Sequence, residues 1–178
     1  MTNFGTVSQN GPATVVRFER LYAASVGELW SALTDPDRMR RWLGAEVSIT
    51  AVAGGAIRLR WEGGAEMEGV ITAFEPERLL AFTWRESALG VESFVRFELK
   101  PEETGTLLVL EHVGVPADQA AGFGAGWHGH LDALAATLAG RVLDPQQRYR
   151  ELAPEYARRA GTGAGSPATD VARHWLHP

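Results

Sequence analysis

Hydrophobic and polar residues alternate along much of the chain, which is the pattern of strands with one buried face. Residues 13–22 form the first such segment, with Val16, Phe18 and Tyr22 on one face and charged residues on the other. Six further segments of this kind follow between residues 47 and 113, separated by short turns that contain glycine or proline. Closely spaced strands with short connections predict an antiparallel meander.

Two short helices are predicted between the first strand and the meander. Ser25 and Glu28 match a capping box, in which each side chain satisfies a backbone N–H group at a helix start. Asp35 followed by Pro36 indicates a second helix start, because an N-cap residue there precedes a proline at the first helical position. Gly44 is expected to end this second helix.

A long helix is predicted after Pro116, with Gly140 as its C-cap. Its apolar stripe recurs at i, i+4, i+7 and i+11 and consists of Trp127, Leu131, Leu134 and Leu138. Glycine in a helix interior costs about 1 kcal/mol relative to alanine. A loop or a loosened helix is therefore expected in the first half, which contains Gly122, Gly124 and Gly126.

The chain divides into an N-terminal arm (residues 1–12), one domain (13–142) and a C-terminal extension (143–178). The extension is predicted to contain short helices and a glycine-rich linker. Its first helix is expected to start at Asp144-Pro145, and Pro154 is expected to break or kink it. The apolar positions of the extension predict that it docks on the domain or on a second subunit, and a homodimer is one possibility.

Composition and net charge exclude several classes of function for this chain. Of 178 residues, 45% are hydrophobic and 22% are charged, which is typical of a folded globular domain. The chain has no cysteine, so it can form neither disulfides nor thiolate metal sites, and a cytoplasmic location fits this. A net charge of −5 argues against nucleic acid as a partner. No apolar run is long enough to span a membrane, and no motif predicts a cofactor or a metal.

The order of one strand, two short helices, six strands and a long helix resembles the helix-grip fold of the START-like superfamily. This superfamily is also called SRPBCC and includes the major birch-pollen allergen. Within it, residues 13–141 resemble the branch named after the activator of the 90-kDa heat-shock protein ATPase. The segments that carry the resemblance are Phe18-Glu-Arg20, Leu29-Trp-Ser-Ala-Leu-Thr-Asp-Pro36, Arg41-Trp42, Gly54-Gly55, Glu68-Gly-Val-Ile71, Pro76-Glu-Arg-Leu-Leu80, Phe82-Thr-Trp84, Gly105-Thr106 and Gly126-Trp127.

The resemblance implies an α+β fold, in which a curved antiparallel sheet of about seven strands wraps around the long C-terminal helix. It also implies a function, because members of the superfamily bind lipids, hormones or polyketides in a cavity between sheet and helix, and some catalyse reactions. By alternation, the inward side chains that would line such a cavity are Leu59, Trp61, Leu80, Phe82, Trp84, Val95, Phe97, Leu108, Leu110, His112, Phe123, Trp127 and Leu131.

Three functions remain open at this point. The first is a carrier or sensor that binds a small hydrophobic molecule. The second is an enzyme acting on a polyketide-like or aromatic substrate in the same cavity, with His112 as general base because an imidazole titrates near neutrality. The third is a module that binds a chaperone or a regulator.

His128 and His130 cannot chelate one ion from a regular helix, since residues two apart point to different sides.

Charged side chains on two neighbouring segments predict cross-strand ion pairs. Arg58 and Arg60 share one face of their segment, and Glu66 and Glu68 share one face of the next. Paired carboxylates can also act as acid and base. The apolar positions beside them place this pair on the outer face, so ion pairs in water are expected.

Overall fold

The computed structural model describes residues 4–10, 13–86 and 90–161. Its strands are β1 (Thr6–Asn10), β2 (Ala13–Tyr22), β3 (Ala45–Ile49), β4 (Ala56–Trp61), β5 (Glu66–Glu75), β6 (Leu79–Glu86), β7 (Glu92–Glu102) and β8 (Gly105–Val115). Its helices are α1 (Val26–Thr34), α2 (Pro36–Leu43), α3 (Ala120–Leu138) and α4 (Pro145–Gly161). The eight strands form one antiparallel sheet in the order β1-β2-β8-β7-β6-β5-β4-β3. The predicted α+β helix-grip fold is confirmed.

The two short helices begin and end where their capping residues predict. The Ser25 side chain accepts a bond from the backbone N–H of Glu28, and the Glu28 carboxylate accepts from the backbone N–H of Ser25. The Asp35 carboxylate caps α2, which Pro36 opens. Gly44 ends α2 in the left-handed region at a φ of 62°, a conformation that favours glycine.

The sheet separates its two faces as the alternation predicts. On the outer face, β4 and β5 place Arg58 opposite Glu68 and Arg60 opposite Glu66. Both pairs form ion pairs, with N–O distances of 3.1 Å and 2.7 Å. All four side chains are at least half exposed, so each pair contributes about 1 kcal/mol or less to stability. The inner face packs against α3.

The long helix is continuous from Ala120, so the predicted loop or loosened helix in its first half is wrong. The structure gives a packing reason for two of its glycines. A Cβ atom on Gly124 would lie 2.7 Å from the Tyr156 ring, and one on Gly129 would lie 2.8 Å from the Pro145 carbonyl oxygen. Glycine at these positions lets α4 approach α3 closely, and this packing offsets the weak helix propensity.

The described part of the extension is one helix that docks on the domain. Pro154 lies inside α4 without ending it, so the expected break is absent. Leu152 and Tyr156, two residues on either side, are buried in the core, and their burial offsets the lost helical hydrogen bond. The predicted glycine-rich linker and last helical turn lie outside the described residues.

Asp132 of α3 joins three elements beneath α4. Its Oδ1 accepts a bond from the Arg20 guanidinium of β2 at 3.1 Å, and its Oδ2 accepts from the Arg148 guanidinium of α4 at 2.8 Å. These charge-assisted bonds fix α4 against the sheet and α3.

None of the helices in the described ranges is long and apolar enough to cross a membrane.

The predicted N-terminal arm contains β1, which adds an eighth strand to the sheet and contacts α4. The Gly5 N–H donates to the Tyr156 hydroxyl at 3.0 Å. The Phe4 ring lies 5.1 Å from the His128 ring and 5.5 Å from the Tyr156 ring. We call these contacts the terminal clasp, because they join the two ends of the described chain.

Candidate functional site

The middle of the space between sheet and α3 is filled. Nine of the thirteen predicted lining residues lie there, and each is at most 3% exposed. Eight of them pack with the rest of the apolar core, and His112 is a buried polar residue. These nine are Leu59, Leu80, Phe82, Val95, Phe97, Leu108, Leu110, His112 and Leu131. Their contact with a ligand stays a prediction.

The other four predicted residues line an open cleft of about 1100 Å³ at one end of α3. The turn after β4 and the end of β6 form one wall, and the first half of α3 and the start of α4 form the other. The structure thus brings together one aromatic side chain from β4, one from β6 and two from α3. They are Trp61, Trp84, Phe123 and Trp127.

These four rings form an aromatic wall centred on Trp84. The Trp84 ring centroid lies 6.1 Å from that of Trp61, 6.5 Å from that of Phe123 and 5.6 Å from that of Trp127. Edge and tilted contacts at these distances are favourable for aromatic pairs. The wall is therefore held in place without a ligand, which lowers the cost of ordering it on binding.

Two of the indole N–H groups in the wall are used within the protein. The Trp61 Nε1–H donates to the Leu43 carbonyl at the end of α2, at 3.1 Å. The Trp84 Nε1–H donates to the Glu86 carboxylate at 3.4 Å. Both bonds fix the orientation of the rings.

The third indole N–H donates to His112. Trp127 Nε1 lies 3.0 Å from His112 Nδ1, so the proton of the neutral imidazole is on Nε2, which lies 2.8 Å from the Ser93 hydroxyl. The hydroxyl in turn lies 3.3 Å from the Trp84 carbonyl oxygen. Burial lowers the pKa of His112 to about 3, so the ring is neutral at physiological pH with both nitrogens engaged.

His130 faces the cleft, and the strand and helix pattern of the sequence did not predict it as a ligand contact. Its Nδ1 lies 3.2 Å from the Trp42 carbonyl oxygen, which can only accept, so Nδ1 carries the proton. Nε2 then has the lone pair. Burial lowers the pKa of His130 to about 4, which keeps the ring neutral. Helical spacing places His130 near the predicted lining residue Trp127, three residues earlier, but does not show its bond to the Trp42 carbonyl.

His128 lies on the α4 side of α3, away from the other two histidines. Its Nδ1 is 3.0 Å from the Tyr156 hydroxyl and its Nε2 is 3.6 Å from the Asp132 carboxylate. Burial lowers its pKa to about 4, although Asp132 acts in the opposite direction. In residues 4–10, 13–86 and 90–161, no group of three His, Asp or Glu side chains is arranged to hold a metal ion.

The mouth of the cleft is acidic. Four carboxylates and one guanidinium line it, namely those of Glu62, Glu86, Asp118, Asp144 and Arg150. Oriented charge of one sign at a concave surface attracts ligands of the opposite sign. The excess of carboxylates therefore favours cations over anions.

Glycine keeps the helical side of the cleft open. Gly126 lines the cleft, and a Cβ atom built on it would meet nothing within 4 Å. Gly122, one helical turn earlier, lines it as well. A methyl group at Gly126 would therefore displace no other atom, and a longer side chain would occupy space in the cleft.

A sequence model of the family described as activator of Hsp90 ATPase homolog 1-like protein matches residues 23–139. The match ends before α4, so the part of the cleft wall that α4 provides lies outside it. Among curated proteins, no sequence matches this chain.

Solved structures resemble the chain over most of its length. The crystal structure of CalU16 from Micromonospora echinospora is 29% identical, with a TM-score of 0.70 over 88% of this chain and 96% of that chain. DynU16, described as a protein in the dynemicin biosynthetic locus, is 28% identical, with a TM-score of 0.66 over 72% of this chain and 48% of that chain. EF2215 from Enterococcus faecalis is described as a conserved protein of unknown function. It is 20% identical, with a TM-score of 0.73 over 89% of this chain and 91% of that chain, which supports the fold alone.

Proposed function

Because the chain belongs to the family of activator of Hsp90 ATPase homolog 1-like proteins, a branch of the START-like superfamily, we propose that it binds a small hydrophobic molecule as a carrier or sensor. The ligand site we propose is the open cleft between the turn after β4, the end of β6, α3 and α4. Most of the predicted lining residues pack elsewhere, in the core.

The observation that carries this proposal is the aromatic wall beside open space. Trp61 and Phe123 are half-buried, and Trp84 and Trp127 expose only a small part of their rings (6% and 4%), at the side of a cleft of about 1100 Å³. A cleft of this volume is large enough for a ligand of several fused rings. Burying apolar ligand surface there would contribute roughly 25 cal/mol per Å². The similarity to DynU16, described from a biosynthetic locus, also supports a small molecule as ligand.

Binding has more support than catalysis. A general base needs a free lone pair that faces the substrate. The Nδ1 lone pair of His112 accepts the bond from Trp127, and its Nε2 is engaged by Ser93. His112 as general base stays a prediction, and this geometry weighs against it.

The test fills the cleft from one side. We expect a Gly126→Leu variant to bind the neutral fluorescent probe N-phenyl-1-naphthylamine at least about 10-fold more weakly than the unchanged protein, because the leucine side chain occupies the ligand space. A factor of 10 corresponds to about 1.4 kcal/mol, less than the burial of one large apolar side chain contributes. A fluorescence titration measures the affinity.

Gly126→Ala is the matched control, since it makes the same backbone change but adds only a methyl group. It should bind the probe with an affinity within about 3-fold of the unchanged protein, and both variants should keep the thermal unfolding midpoint or raise it. Equal binding of the probe by Gly126→Leu and the unchanged protein would contradict the proposal.

A further inference from the structure

We propose that the cleft selects ligands that carry a protonated amine beside an aromatic ring, an inference that rests on the proposed function of the cleft. It follows from the partners of the indole N–H groups, from the acceptors His130 and Glu86, and from the charged side chains that line the cleft. Three features support it: the indole donors, the acceptors beside the aromatic wall, and the charge at the mouth.

The aromatic wall has no indole donor left for a ligand. Each indole N–H group makes its bond inside the protein: Trp61 to Leu43, Trp84 to Glu86, and Trp127 to His112. An indole nitrogen has one proton and no acceptor capacity. The rings therefore offer a ligand only their π surface, whose negative face attracts cations.

Two groups beside the wall, His130 and Glu86, can only accept hydrogen bonds from a ligand. The other uncharged polar side chains of the lining, the Tyr149 hydroxyl and the Gln119 and Gln146 amides, can accept as well as donate. His130 donates its Nδ1–H group to Trp42, so its remaining nitrogen can only accept while the ring is neutral. A carboxylate has about four lone-pair sites, so Glu86 keeps acceptor capacity after its bond to Trp84. A ligand group that bonds to either of them must donate, and an ammonium group has up to three N–H donors.

The negative charge at the mouth of the cleft favours a cationic ligand donor over a neutral one. An alcohol donates as well as an ammonium group does, but only the cation gains from the carboxylates and from the π surface together. Arg150 offsets one of the four carboxylates, which leaves the mouth acidic. An anionic ligand would be repelled by this excess of carboxylates.

The experiment compares three probes that share one naphthalene ring and differ in charge: 1-naphthylmethylamine, 1-naphthalenemethanol and 1-naphthoate. Titration calorimetry at pH 7 and low ionic strength measures each dissociation constant. We expect the amine to bind about 10-fold more tightly than the alcohol. The acid is expected to bind more weakly than the alcohol.

The double variant Glu62→Gln and Glu86→Gln removes two carboxylates of the mouth and keeps the shape of both side chains. The advantage of the amine over the alcohol should fall to about 3-fold or less, because the cation loses more affinity than the neutral alcohol does when the carboxylates are removed. The matched control is Glu103→Gln, an exposed carboxylate after β7 at the end of that strand away from the cleft. It should leave the preference at about 10-fold.

The outcomes separate this inference from the proposed function. If the probes bind and Gly126→Leu blocks them, but the alcohol or the acid binds as tightly as the amine, the amine preference is overturned and the cleft remains a binding site. An amine preference that survives the double variant would also overturn the inference. If no probe binds, or if Gly126→Leu leaves binding unchanged, both proposals fail.

Discussion

The middle of α3 and its first half face the same sheet, but one region is closed and the other is open. In the middle, Leu131 and Leu134 meet the sheet, and both are fully buried. In the first half, the positions that face the cleft include Gly122 and Gly126. The comparison teaches that small residues at helical spacing can leave space for a ligand along one continuous helix.

The largest expected change in the free energy of unfolding tests whether the space between the sheet and the middle of α3 is close-packed. Phe97→Ala removes a buried ring that contacts Trp42, Phe82 and Trp127. We expect it to lower the free energy of unfolding by about 3–5 kcal/mol, because the cavity cannot fully collapse. Urea denaturation measures this.

The half-buried Phe123 at the cleft is the matched control for that substitution. Phe123→Ala should lower the free energy of unfolding by roughly half as much or less, since its ring already borders open space. Equal losses in the two variants would show that the two regions do not differ in packing.

A smaller effect compares the two sides of α3. We expect Gly129→Ala to lower the free energy of unfolding by about 1–3 kcal/mol, because its methyl group would lie 2.8 Å from the Pro145 carbonyl oxygen and push α4 away. Gly126→Ala on the cleft side meets no atom, so it should raise that free energy by up to about 1 kcal/mol. Chemical denaturation of both variants checks the opposite signs, and a gain in both would mean that α4 does not need the glycine.

The smallest expected effect is a change with pH in the free energy of unfolding. Its source is His112, the buried polar residue between the two regions. The unfolded chain protonates His112 near its ordinary pKa of 6.5, whereas the native ring stays neutral until about pH 3. The stability that neutral His112 contributes is therefore present above pH 6.5 and is lost as the pH falls below it. Between pH 7.5 and 5.5 the loss amounts to roughly 1 kcal/mol.

The His112→Leu variant isolates that contribution. The difference in unfolding free energy between the unchanged protein and the variant should shrink by roughly 1 kcal/mol as the pH falls from 7.5 to 5.5. Denaturation curves at the two pH values measure it. A difference that is constant with pH would mean that the imidazole is also protonated in the folded protein.

Much of the fold could be predicted because the signals that specify it are local. Ser25, Glu28, Asp35 and Gly44 determine helix ends through bonds within a few residues. Alternation determined the inner face of the sheet in the same way. β1 was missed because its sequence, TVSQN, has only one apolar residue, and its pairing with β2 is a tertiary effect.

The candidate site could be predicted only in part. Alternation shows which face a side chain is on, but not whether the volume in front of it is filled, so it gave the same weight to Phe97 and Trp84. Helix α4 continues through Pro154 and adds a wall to the cleft because it packs against distant parts of the chain. Helix propensity is a local property and does not predict such packing. His130 was missed because its role depends on the Trp42 carbonyl, 88 positions away.

The terminal clasp has a consequence for folding kinetics. Gly5 and Tyr156 are 151 positions apart, so their contact closes only after the chain between them has become compact. Contacts of this range that are absent from the folding transition state change the unfolding rate and leave the folding rate nearly unaltered. We therefore expect the clasp to lengthen the lifetime of the folded molecule, and a Tyr156→Phe variant to unfold faster while it refolds at the same rate.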